Sequence, residues 1–397
     1  MRPKPLSGIR VLDLTRLLPG PMATLHLADM GADVIKIEDT EAGDYARAMG
    51  RTREAGRGRD PAVPPMSDFF RLVNRNKRAM RLDLKQPQGR EVLSRLAKGA
   101  DVLVEGFRPG VMAKLGVGYD ALAAVNPRLV YCSITGYGQD GPYADRAGHD
   151  INYIGYAGVG DQIGTAEAPV VPNFQIADLL GGALTPVMGI LAALIDARSS
   201  GRGRHVDAAM SDAVLAHAIL PLLGFLERGK TPGRGSGMLD GGLPCYNVYR
   251  TRDARWMAVG ALERKFWETL CDILGCPELK GKHIVYGEEA RPVKERLAAA
   301  FASRTQLEWS GVFARADCCV SPVLPIDEAL ANEQFRARKM IAGEGGLTQF
   351  ALPLKFSEFD FSVARPAPGR GEHTEEILRE AGYRDAEIAA LRSDGVI

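Results

Sequence analysis

The sequence predicts an α/β protein: a Rossmann-like parallel-sheet large domain plus a smaller α+β domain, joined by long linkers. Three observations carry this expectation. The chain has 397 residues, room for roughly two to three domains at about 150 residues each. Residues 8 to 38 read strand, turn, helix, strand, the pattern of a βαβ unit of the doubly wound kind. A Gly- and Pro-rich stretch from 228 to 244 separates two regions of different patterning.

Taken in order, Ile9 to Leu14 is a β-rich run, Pro19-Gly20-Pro21 breaks it, Met22 to Met30 is helix-forming, and Ala32 to Glu38 is a second strand. Glu38 closes that strand where dinucleotide folds place a ribose ligand. The first turn, however, reads Leu17-Leu18-Pro19-Gly20-Pro21 instead of GxGxxG, which argues against NAD. Thr40 to Asp60, polar and Arg-rich, reads as a mobile loop. Further strand and helix units are expected at Met80 to Leu84, Val92 to Leu96, Val102 to Glu105 and Leu129 to Thr135. Leu179 to Ile195 is an uncharged run of 17 residues between Asp178 and Asp196, just under the ~18 that suggest a membrane span, so a buried core helix is expected and no membrane. Beyond the linker, Tyr246 to Tyr249 and Trp256 to Val259 read as strands, with helices around 264–274, 291–302 and 305–314. The expected division is a first part of the large domain over 1–225, a linker over 226–244, a small domain over 245–325, and a return linker with the rest of the large domain over 326–397.

Charge excludes several functions. Fifty Lys+Arg face 49 Asp+Glu, so no global field attracts nucleic acid or an anionic membrane, and any anionic ligand must be met by local clusters. Forty-five glycines predict many tight turns. The six cysteines show no CxxC spacing and read as reduced thiols with no metal site. The first residues lack a signal-peptide core and Asp-Gly-Val-Ile is no peroxisomal signal, so a cytoplasmic location is expected.

Two positions stand out chemically. His149 follows a turn-rich segment and heads an apolar stretch with Ile151 and Ile154 at i, i+3 spacing. At a helix mouth the macrodipole disfavours imidazolium and favours a neutral, base-competent ring; the alternative is a simple helix-end hydrogen bonder. Asp178 precedes the apolar run with Gly181 and Gly182 just inside it. It is either a helix N-cap or a base or nucleophile at a place where the glycines let a ligand approach the backbone. Basic residues cluster at Arg75, Lys77, Arg78, Arg81 and Lys85, then at Arg108 and Lys114. They are either a polyphosphate site at a sheet edge or solvated surface.

Ordered motifs run nearly end to end: Leu-Ser-Gly-Ile-Arg-Val-Leu-Asp-Leu with Leu18-Pro19-Gly20-Pro21, Leu82-Asp83-Leu84-Lys85-Gln86-Pro87, Gly106-Phe107-Arg108-Pro109-Gly110, the Gly-His-Asp-Ile-Asn-Tyr motif, Met238-Leu239-Asp240-Gly241-Gly242 and Gly371-Glu372-His373-Thr374-Glu375-Glu376. On these the chain resembles the family III CoA-transferase superfamily, the CaiB/BaiF group, and within it the alpha-methylacyl-CoA racemases. The resemblance implies that Asp178 matches a carboxylate that is a nucleophile in the transferases and a base in the racemases. It implies that His149 is the second base and that Glu263 orients it, with Asp150 as a further donor or orienter. A tetraglycine loop of the transferases has no counterpart beyond Gly241-Gly242. Two bases suit inversion beside a thioester: one face of a planar enolate loses a proton and the other gains one. By the resemblance His149 serves the face of the S epimer and Asp178 that of the R epimer, with backbone N–H groups at the helix heads holding the oxyanion.

The resemblance further implies an acyl-CoA substrate, with coenzyme A as part of the substrate and no cofactor or metal required. CoA contacts are expected at Leu82, Asp83, Leu84, Lys85, Gly106, Phe107, Arg108 and Lys114, and substrate contacts along Gly148, His149, Asp150, Ile151, Asn152 and Tyr153. Asp39 stands where many members carry an Arg, so Lys36 or Arg75 is the expected substitute. Arg264-Lys265 would place positive charge near the substrate tail. An interlocked homodimer with a shared site is implied, Glu263 coming from the other chain. The second activity open to this group is transfer of CoA to a carboxylic acid through an aspartyl-CoA thioester at Asp178.

Overall fold

The computed structural model describes residues 3–50, 66–344 and 346–397; the part of the expected loop at 51–60 lies outside them. The chain divides into two compact units, one of Met1–Ala157, Phe174–His217 and Gln334–Ile397, the other of Gly158–Asn173 and Ala218–Glu333.

The first unit is built on six parallel strands: β1 (Arg10–Leu14), β2 (Asp33–Glu38), β3 (Lys77–Arg81), β4 (Val102–Glu105), β5 (Val130–Thr135) and β6 (His205–Ala209), in the order β3-β2-β1-β4-β5-β6. Alternate side chains enter two cores. Val11, Val34, Val102, Val104 and Val130 pack with the helix Pro19–Asp29 and the long helix that starts at Ala177. Leu12, Leu14, Ile35 and Leu103 pack with Pro87–Lys98 and the C-terminal helices Thr374–Glu380 and Asp385–Ser393. A parallel sheet must be covered on both faces, and each buried aliphatic side chain contributes about 1.5–3 kcal/mol.

Several expectations shift. The first helix starts at Pro19, whose ring suits the first helical turn. The third strand is Lys77–Arg81 and not Met80 to Leu84, because its basic residues are paired inside the protein. Lys77 contacts Asp13 at 3.1 Å, and Arg78 reaches Asp33, Glu376 and Glu380. The run after Asp178 becomes a continuous helix, Ala177–Ser200, long and apolar enough by composition to cross a membrane. It is buried on one side only: Ala183, Val187, Ile190, Ala193 and Ala197 face the core, while Leu184, Met188 and Ile195 are exposed.

The second unit packs an antiparallel sheet, Tyr246–Arg250, Trp256–Gly260 and Val320–Pro322, against helices Arg264–Leu274, Gly287–Phe301 and Gln306–Phe313 around Trp267, Phe301 and Trp309. Its boundaries fall at 217/218 and 333/334 instead of 225 and 325, and it includes 158–173, which the sequence assigned to the large domain. Arg234 explains the inclusion, donating to the carbonyls of Thr165 and Asp161 and to the Asp161 carboxylate. Helix Ile219–Arg228 lies where the large domain was expected to end.

Candidate active site

In an open parallel sheet, ligands bind beyond the carboxyl ends of the strands where strand order reverses. Here that point lies between β1 and β4. A cavity of about 1070 Å³ opens there, lined by residues 14–20 from the last residue of β1 onward, 106–109 after β4, 134–136 at the end of β5, and 146–149, together with Asn152, Tyr153, Gln175 and Asp178.

The loop after β1 is held from beneath by fully buried charges. Lys36 pairs with Asp44 at 2.8 Å and donates to the Thr15 carbonyl, and Asp44 accepts the Leu17 N–H. These bonds hold Leu17 at φ 66°, a left-handed conformation that costs a non-glycine residue about 1 kcal/mol or more. Asp13 accepts from Thr15, Thr24 and Lys77. Although burial opposes ionisation, Lys77 and Lys36 beside it bring the Asp13 carboxyl down to about 2.

His149 occupies the N-cap of the helix Asp150–Tyr156 and is exposed on the cavity. Asp178 lies in the first turn of the Ala177–Leu184 segment, which is π-helical; the Thr185 N–H reaches back to the Leu180 carbonyl. Such i→i+5 turns occur often at functional sites. Asp178 is not the helix cap. Asp150 is: one of its oxygens accepts the N–H groups of Ala177 and Asp178 at 2.6 and 3.0 Å. The donors expected for an oxyanion at this helix head are therefore occupied. Burial first, then the Asp150 charge, pushes the Asp178 carboxyl up to about 6, and His149 partly offsets this. Gly181 and Gly182 serve helix packing instead of ligand approach: a Cβ on Gly181 would meet the Met210 backbone at 2.7 Å, and one on Gly182 would meet Pro19 at 2.4 Å.

The other expected contacts divide. Gly106, Phe107, Arg108, Gly148, Asn152 and Tyr153 line the cavity, whereas Leu82, Asp83, Leu84, Lys85, Lys114, Asp150 and Ile151 do not. Leu82 is buried in the core and Lys85 pairs with Glu41. The early basic cluster is largely structural: besides Lys77 and Arg78, Arg75 is buried against Asp29. Neither Lys36 nor Arg75 therefore replaces the missing Arg. A cation that lines the cavity beside Arg108 is Arg16, held by Asp39 at 2.6 Å and lying over the rings of Tyr45 and Phe107. Asp39, which read as a loss of positive charge, is the anchor of Arg16. Arg146, stacked on Tyr143, also lines the cavity. Both arginines were missed; the position of Arg16 in the first strand-to-helix turn was the available signal. Glu263 is exposed at the head of Arg264–Leu274 in the second unit, where Arg264 is paired with Glu268 on its own helix.

A parallel sheet in this order, with a carboxylate and an imidazole on a cavity at its switch point, defines a Rossmann-like fold with ionisable groups where open α/β sheets bind ligands. Residues 6–374 match the family described as CoA-transferase family III, and the chain belongs to that family. It is 38% identical over 396 residues to the alpha-methylacyl-CoA racemase of Homo sapiens, covering 99% of this chain and 97% of that protein. It is 32% identical over 407 residues to the succinyl-CoA:glutarate CoA-transferase of Mus musculus, covering 99% and 90%. The crystal structure of a CaiB/BaiF family protein from Brucella suis superposes with a TM-score of 0.83 at 30% identity, covering 96% of this chain and 100% of that one.

Proposed function

We propose that the protein epimerises the α carbon of 2-methylacyl-CoA thioesters by two-base proton transfer through an enolate. The observation that carries this reading is His149 on the same cavity as Asp178, whose carboxyl burial and the Asp150 charge push up to about 6. A general acid/base works best with a pKa close to the working pH, and each such group contributes about 10²–10⁴-fold. In one direction Asp178 removes the α proton and His149, as imidazolium, delivers one to the opposite face. In the other the roles exchange, so the pair carries a single proton in either reactive state. With the Ala177 and Asp178 amides engaged by Asp150, the enolate oxygen would be met by a donor other than these two. Arg16 and Arg108 would take the anionic CoA moiety. Glu263 of a second copy, in an interlocked dimer, would orient His149.

Incubating one pure epimer of several 2-methylacyl-CoA thioesters in deuterated water tests the reading: inversion with α-deuterium uptake is expected for at least one chain, and its absence from all of them overturns it. The second reading, CoA transfer through an Asp178 thioester, is favoured by the comparable identity to a transferase. Hydroxylamine trapping of modified Asp178 would support it.

A further inference from the structure

Tyr153 and Asn152, one helical turn beyond His149, grip the peptide bond that carries it. The Tyr153 hydroxyl donates to the Gly148 carbonyl, and the Asn152 side-chain oxygen accepts the His149 N–H at 3.0 Å. The Gly148–His149 peptide is thus held at both ends. On its other side the His149 carbonyl accepts the N–H groups of Asn152 and Tyr153.

The Tyr153 ring is itself locked. It is buried, meets Tyr137 edge-on at a centroid distance of 5.2 Å, and presses against two glycines. A Cβ on Gly136 would lie 2.4 Å from its Cε1, and one on Gly148 would lie 2.7 Å from the same atom. Neither Gly136 nor Gly148 is held to glycine by a positive φ; the ring accounts for both. Burial, with Asp178 and Asp150 nearby, pushes the phenol up to about 12, so it is present as a donor. A ring locked in place with its only polar atom spent on Gly148 is arranged to fix an angle, since small misplacement of a catalytic group costs rate steeply.

We infer that Tyr153 and Asn152 are positioning residues for His149, setting proton transfer at its face of the substrate and not at the face served by Asp178. This rests on the two-base reading. The Tyr153→Phe variant keeps the ring and removes one hydroxyl; Asn152→Ala releases the other end of the same peptide from an exposed site.

The test follows each epimer separately in deuterated water and scores deuterium in unreacted substrate as well as in inverted product. Inversion should slow about tenfold in both directions, as the common equilibrium demands, the size expected for losing one hydrogen bond that orients a catalytic group. Exchange into unreacted S epimer should fall by the same factor, while exchange into unreacted R epimer should stay within about twofold. His149→Ala runs alongside. If it shows this asymmetry and neither Tyr153→Phe nor Asn152→Ala does, the inference is overturned and the two-base reading stands. If wild-type protein exchanges neither epimer, that reading fails and the inference with it. Equal loss at both faces in either variant, with KM raised, would show a general structural role and also overturn the inference.

Discussion

Asp178 should be worth more to catalysis than it costs the fold, and the cost can be read. Burial and the Asp150 charge raise its carboxyl from 3.8 to about 6. The folded protein therefore holds this proton more tightly than the unfolded chain does. Stability is unaffected below about pH 4, falls as pH rises through the interval, and carries the full penalty above about pH 6. At 1.36 kcal/mol per pKa unit the shift corresponds to about 3 kcal/mol, and because the side chain keeps partial contact with water about 1–2 kcal/mol is the expected effect. Asp178→Asn should abolish epimerisation and stabilise the protein by that amount at about pH 8, with no gain at about pH 4. Urea unfolding at both pH values, at one protein concentration, measures it. A variant no more stable than wild type at the higher pH, or a gain equal at both, would refute the electrostatic account.

The like charge of Asp150 is the second cause of that shift, and Asp150 is also the helix cap. Asp150→Asn retains an oxygen to accept the amides and removes the charge, so the acid limb of kcat/KM, expected near about pH 6, should move to lower pH; a limb that stays in place counts against the coupling. Arg16→Ala should raise KM for acyl-CoA about tenfold with kcat nearly unchanged, the loss of one charge-assisted contact to a part of the substrate remote from the reaction. Steady-state kinetics decide it, and an unchanged KM would remove Arg16 from the binding site.

The sheet was legible because β1 and β2 are short apolar runs flanked by turn residues, and the long helix because its pattern is uninterrupted. The third strand was misplaced for a definite reason: Lys77 and Arg78 look solvent-facing in sequence, and only the fold brings Asp13, Asp33 and Glu380 to them. The same partners, distant in sequence, made a structural charge network resemble a phosphate site. The helix-head position of His149 was identifiable from the apolar stretch that follows it. The role of Asp150 was not, because a cap supplied from 28 residues away leaves no local pattern. Gly181 and Gly182 show the converse: close packing on Met210 and Pro19 and close approach of a ligand call for the same residue.

The proposed inversion requires His149 and Asp178 to act on opposite faces of the α carbon, one removing its proton and the other delivering a second. One pure 2-methylacyl-CoA epimer, in deuterated water without any acceptor acid, given to wild-type protein and to His149→Ala, measures this directly. Wild type should return the inverted epimer carrying one α deuterium, and His149→Ala should give no inversion above background. Inversion by His149→Ala at the wild-type rate, or no deuterium uptake by wild type, would contradict it.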